Sequence, residues 1–528
     1  MDDQRIIPPS EPEPARVPGP ITLTGDALTV DEVVAVARHR ARTEVGAEVA
    51  PRLALRREEI DGHVADGRTV YGIPTGFGAL AAQRVAGDEI DELQVNLLRS
   101  HAAGVGDALP DEVVRAMMLL RARTLSAGYS GVRPTVVQLL VDCLNAGLHP
   151  VVPSRGSVGA SGDLAQLAHI GLALTGEGRI DDGTGPRPAA DALADAGLRP
   201  LRPGAKEGLA LVNGTEGMLA LALLAWHDTR ALLTGADIAA AMTTEAGFGS
   251  DQPFAAELQE LRGQPGQADA AANLRALLHA SPIVAAHRDS DHAVQDPYSL
   301  RCSPQVHGSA RATHAWCAEV ISAELAAVTD NPVVLPDGRV ESTGNFHGEP
   351  LGTAMAALAV GLASLASISE RRTLWLMSPE SSRGLPAFLA ERPGLQSGLM
   401  LAQYTQAALV AEIRQLAQPS VLDTIPTSGT QEDHVSMAWH GGLRLRELVG
   451  LAATVIGAEA LCAARALDLR APLEPAAGTG AARAELRERI APLEGDRQLS
   501  GDLSEAGRML ADARLAAAAE RAIGEALR

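Results

Sequence analysis

Residues 351–369 carry no charged side chain, and their large apolar positions are interleaved with Ala, Gly and Ser. As a helix, a run of this length could cross a bilayer. Its many small residues, and the Glu370-Arg371-Arg372 run directly behind it, favour a different place where a helix apolar on every side is stable, the middle of a helical bundle. Partners for it are plentiful. Helical spacing of apolar residues recurs over 218–244, 308–329, 399–416 and 443–469, whereas alternating β-branched runs are nearly absent. The segment 30–59 reads as an amphipathic helical pair with Thr29 and Asp31 as capping candidates. An all-α fold is therefore expected: a disordered tail over 1–20, an N-terminal domain over 21–215, a central bundle of long helices over 216–475, and a short helical cap over 476–528.

Charge and cysteine usage narrow the function. At 46% hydrophobic and 21% charged the chain is ordinary globular material, and a formal net charge of −20 argues against nucleic acid or an anionic membrane as a partner. The cysteines Cys143, Cys302, Cys317 and Cys462 are scattered, without the close pairs of zinc or redox motifs. Residues 1–20 are acidic and proline-rich and lack the apolar core of a secretory signal. These features point to a cytoplasmic protein that handles small metabolites.

The chemistry concentrates at Gly156-Ser157-Val158-Gly159-Ala160-Ser161-Gly162-Asp163-Leu164, where small residues run into a helical pattern that ends near Gly176. Asp163 reads as an N-cap, and the glycines permit unusual dihedrals and close backbone approach. Ser-Gly-Asp can be no more than a turn and cap. An Ala-Ser-Gly tripeptide can also cyclise: the Gly162 nitrogen attacks the Ala160 carbonyl carbon, and loss of two waters, one from the ring and one from Ser161, leaves an exocyclic methylidene. That group is an electrophile, which no ordinary side chain is. A helix starting at Asp163 would aim its positive end at the ring.

The run from Gly156 through His169 closely resembles the cofactor-forming loop of the histidine and aromatic amino acid ammonia-lyases and aminomutases, which carry a self-made 4-methylideneimidazole-5-one. The resemblance spans most of the chain, from about 23 to about 510. It implies the helical architecture of the ammonia-lyase and fumarase-like superfamily, a homotetramer with sites shared between subunits, and no metal.

Further motifs acquire roles through this resemblance. Tyr71-Gly72-Ile73-Pro74-Thr75-Gly76-Phe77-Gly78 sets an aromatic among glycines; it either anchors a loop or delivers a phenol as acid or base, and the resemblance makes Tyr71 the proton abstractor. Pro74 stands where a polar residue is common. His101, near a helix end, reads either as a C-terminal cap or, from the Ser100-His101 pair shared with histidine lyases, as the partner of a substrate imidazole. Asn213 of Glu207-Gly208-Leu209-Ala210-Leu211-Val212-Asn213-Gly214-Thr215 would contact the imidazolone carbonyl. Arg301 suits a substrate carboxylate, which a guanidinium holds bidentately, with Gln295 and Tyr298 beside it; a purely structural arginine is the alternative. Phe346 would line the pocket, and Gln431 and Glu432 match a further family segment in which Thr430 replaces the usual Asn. Glu412 falls on an apolar helix face, where a carboxylate is costly unless paired or protonated. It is expected to act with Tyr71 or, failing that, to pair with Arg414. Gln166 replaces a common Pro.

Together these imply elimination of ammonia from L-histidine to give urocanate. A 2,3-aminomutase, a lyase for tyrosine or phenylalanine, and a helical assembly without activity are the alternatives.

Overall fold

The computed structural model describes residues 19–66, 85–86, 89–290 and 294–528. Tyr71 and Pro74 lie outside the described residues. At the start of the described chain the expected helical pair is split. Val30–His39 forms one helix, closed at its start by a Thr29–Glu32 capping box, and Arg40 ends it in the left-handed conformation. Strand Thr43–Val45 then pairs in parallel with Ile21–Leu23 before the second helix, Val49–Ala65. Farther along, Arg179–Asp181 and Pro186–Pro188 pair antiparallel, and Ala189–Asp195 is helical. Among the described residues no sheet has more than three strands.

Helices carry everything else that positions the site. In chain order these are α1 (Asp111–Ser126), α2 (Leu164–Leu174), α3 (Glu207–Val212), α4 (Glu216–Ala246), α5 (Tyr298–Arg301), α6 (Ser303–Ala326), α7 (Glu349–Met377), α8 (Met400–Leu416) and α9 (Ala438–Asp468). The 31 residues of α4 make a rod about 45 Å long. It packs chiefly on α9, which also carries α7, and α7 in turn lies on α6. The uncharged 351–369 run is inside α7. Among the described residues two helices, α7 and α9, are long and apolar enough to cross a membrane, yet 56% and 78% of their most apolar windows are buried inside the protein. After α9 three shorter helices fold back, and Gly457 lets the backbone of Ala506 and Gly507 press against α9. One continuous apolar core extends from Ile21 to Ala519.

Candidate active site

The loop before α2 is clamped from several directions. The Gly159 carbonyl accepts from Gly348 N at 3.0 Å and from Ser436 Oγ at 2.6 Å, while Met437 N donates to the Val158 carbonyl at 2.8 Å. Gly162 N donates to the Phe346 carbonyl at 3.0 Å, and Asp163 N to the Gly214 carbonyl at 2.8 Å. Ser161 is held at φ 55, a left-handed conformation that a serine adopts only where its surroundings over-determine it. Gly162, at φ 74, lies so close to Gly214 that a Cβ would collide with the Gly214 backbone.

Asp163 departs from its expected role. Its side chain does not cap α2. It is fully buried, takes the Ser157 hydroxyl at 3.0 Å, and takes Met218 N at 2.8 Å, so it caps the first turn of α4 from another part of the chain. Burial pushes its pKa up to about 7 despite these donors.

Asn213, Ser161, Gly162 and Phe346 meet here. Asn213 Nδ2 donates to the Ser161 carbonyl at 3.1 Å, Phe346 supplies the carbonyl that receives Gly162 N, and Ser161 Oγ donates to Glu432 Oε1 at 3.0 Å. His101, at the end of helix Ile90–His101, is close enough to feel the Glu432 charge; burial nonetheless lowers its pKa, disfavouring the charged imidazole. Glu432, matched with Gln431 to the same segment in the sequence, is given no role there. Its other oxygen accepts from Thr427 Oγ1 at 2.8 Å, which fixes the carboxylate plane. Gln431 is exposed, and Thr430 occupies a left-handed turn at φ 73. Gln166 is accommodated within α2, donating to the Pro153 carbonyl at 3.2 Å.

Gln295, Tyr298 and Arg301 form a second group elsewhere. With Asp296, Trp375, Glu380 and Arg383 they line an open cavity of about 470 Å³. Arg383 donates to the carbonyls of Gly247 and Phe248, directly past the C-terminal end of α4, whereas Asn213 and Gly214 directly precede its N-terminal end. In one chain, therefore, the Ser161 group and the Arg301 group sit at opposite ends of a rod about 45 Å long.

Glu412 belongs to neither group. It is exposed on α8 in the single chain, so the expected burial is not met, and Arg414 donates to Ser367 Oγ at 3.2 Å instead of pairing with it. The helix face was read correctly but its surroundings were not: Leu401 and Tyr404 on the same face are 52% and 58% exposed. Among the described residues no group of three or more His, Cys, Asp or Glu is arranged to hold a metal ion.

A family model for aromatic amino acid lyases matches residues 28–488. The chain is 49% identical over 502 residues to a histidine ammonia-lyase of Streptomyces coelicolor, covering 94% of this chain and 98% of that protein. It belongs to the aromatic amino acid lyase family. Solved structures of family members agree with the fold. A tyrosine aminomutase from Streptomyces globisporus superposes with a TM-score of 0.91 at 33% identity, covering 96% of this chain and all of that one. A histidine ammonia-lyase from Trypanosoma cruzi gives 0.87 at 37%, covering 95% of each chain. Membership makes this a carbon–nitrogen lyase fold in which the Ser161 loop is the centre of interest; lyases and aminomutases share it, so the fold alone does not choose between the two reactions.

Proposed function

We propose that this chain is a histidine ammonia-lyase, eliminating ammonia from L-histidine to give urocanate, with residues 160–162 cyclised to the methylidene-imidazolone. The observation that carries this reading is the convergence of Asn213 and Glu432 on Ser161, with His101 near enough to feel the Glu432 charge, in a chain nearly half identical to proteins named histidine ammonia-lyase. The loop suits the group: the left-handed Ser161 and the abutment of Gly162 on Gly214 hold the tripeptide in a bent form, and the α2 N-terminus faces it. Once formed, the group supplies an electrophile for the substrate amine, which is otherwise a poor leaving group.

The side chains do the rest. Asn213 Nδ2 donates to the Ser161 carbonyl, which becomes the ring carbonyl, and draws electron density from the ring. Dehydration of Ser161 removes the donor from Glu432 Oε1, leaving a carboxylate oxygen aimed at the space over residue 161. Glu432 is a carboxylate beside residue 161 that can work with Tyr71 when the β-proton is removed. His101 orients the substrate imidazole by hydrogen bonding.

Arg301, flanked by Gln295 and Tyr298, holds the substrate carboxylate, and the length of α4 means that it does so for a neighbouring copy. This supports a homotetramer with shared sites. So does the apolar surface left open by Val360, Leu401, Tyr404, Leu422 and Ile425, each at least half exposed in the single chain. The enzyme is placed in the cytoplasm with its amino acid substrate, in keeping with four free cysteines.

The superposition on tyrosine aminomutase favours a second reading, a 2,3-aminomutase. Incubation with L-histidine, resolved by NMR, separates the two. Urocanate with matching ammonia is expected; β-histidine would move the function to an aminomutase, and no turnover would send the search to tyrosine and phenylalanine.

A further inference from the structure

Asp296 contacts the Arg301 group through both its backbone and its side chain. Its carbonyl accepts from Arg301 Nε at 3.0 Å. Its carboxylate is buried at 7% exposure, with Oδ1 on Arg383 Nη2 at 2.8 Å and Oδ2 on Ser250 N at 2.6 Å. Arg383 is itself tied to the carbonyls of Gly247 and Phe248, so the carboxylate pins the 295–301 segment to the C-terminal end of α4. The Arg301 guanidinium also rests on the Tyr298 ring at 4.6 Å.

The consequence concerns which edge of the guanidinium a ligand meets. A guanidinium can grip a carboxylate side-on, through Nε and one Nη, or end-on, through both Nη atoms. With Nε engaged by the Asp296 carbonyl and the guanidinium resting on the Tyr298 ring, the end-on edge is the one left for a ligand in the cavity that Arg301 lines.

We propose that Asp296 is the positioning residue of the carboxylate site: its ion pair with Arg383 and its bond from Ser250 N fix the carbonyl that orients Arg301 for end-on binding of the substrate carboxylate. The inference rests on the lyase reading of the same site. Asp296 does not touch the substrate; it acts through Arg301.

The test compares ligands with and without a carboxylate. Dissociation constants are measured by calorimetry on the intact assembled protein for imidazolepropionate and phenylpropionate, against histamine and phenethylamine. Asp296→Asn keeps the size of the side chain and removes the charge that Arg383 needs. It should weaken binding of the propionates on the order of tenfold while leaving the amines within about twofold, with KM for L-histidine rising more than kcat falls. Asp296→Glu, which retains the charge, should recover part of the propionate affinity, and Arg383→Met should reproduce the loss. An equal change for both ligand classes, or unchanged propionate binding in Asp296→Asn, would overturn the proposal. Failure of the lyase reading shows separately, as absence of wild-type turnover, because the affinity ratio requires none.

Discussion

The separation of the two residue groups makes a quantitative prediction about mixed assemblies. Ser161→Ala removes the hydroxyl that must leave at one end of α4, and Arg301→Met removes the carboxylate grip at the other. Each variant alone should be inactive. The 31 residues of α4 keep the two ends about 45 Å apart, far more than the length of an amino acid, so no chain can supply both groups to one substrate. On the proposed reading, each site draws Ser161 from one copy and Arg301 from another. When the variants are co-expressed in equal amounts and assemble at random, about a quarter of sites pair two unmutated groups. Mixed assemblies, isolated through two different affinity tags and assayed by urocanate absorbance, should recover activity on that order. If they stay as inactive as either parent, the two groups do not meet between copies and the shared-site account fails.

Three further outcomes follow from the buried charges. The native pKa of Asp163, about 7 against an ordinary 3.8, means that the folded state favours the protonated carboxyl. The stability from this group is present in full below about 4 and falls as pH rises to about 7, by up to about 4 kcal/mol, after which it is level. Asp163→Asn should flatten the dependence, and parallel urea-denaturation curves for wild type and variant across that window would contradict it. Arg121 on α1 is 1% exposed and donates both to Glu216 at 2.8 Å and to the Asn213 carbonyl at 3.0 Å. Arg121→Met therefore strands a buried carboxylate and should cost about 3–5 kcal/mol, read as a lowered denaturation midpoint that Arg121→Lys partly restores. Glu432→Gln keeps the shape beside residue 161 but no longer accepts a proton. A fall in kcat of about a hundredfold or more is expected, with unchanged thermal stability; full activity in the variant would return the role to another group.

The sequence was most legible where composition alone forces an environment. A run such as 351–369 has few stable places, and it occupies one of them in α7. The Ser161 loop drew notice because cyclisation needs those residue types in that order, whereas Asn213 acquired its role only through the family resemblance, its Asn-Gly pair alone reading as a turn. Strands Ile21–Leu23 and Thr43–Val45 escaped because three residues are too few to show an alternation, and the backbone pairing that makes them is not local. Asp163 stands in a capping position by sequence, yet the free amides it satisfies belong to α4, 55 residues away. The burial expected of Glu412 is not seen in the single chain for a different reason. An apolar stripe on a helix looks the same whether it faces the chain's own core or another copy, and the stripe holding Leu401, Tyr404 and Glu412 is open in the single chain. The carboxylate that does reach Ser161 is on an irregular segment, where no periodicity marks it.

The central claim is that residues 160–162 become an electrophile made by the chain itself, and intact mass spectrometry of the purified protein tests it most directly. The wild-type chain should be lighter than its encoded sequence by the mass of two waters, and the Ser161→Ala chain should not show that loss and should not convert L-histidine. A wild-type chain at its full encoded mass, or a Ser161→Ala chain that still releases urocanate, would contradict the account.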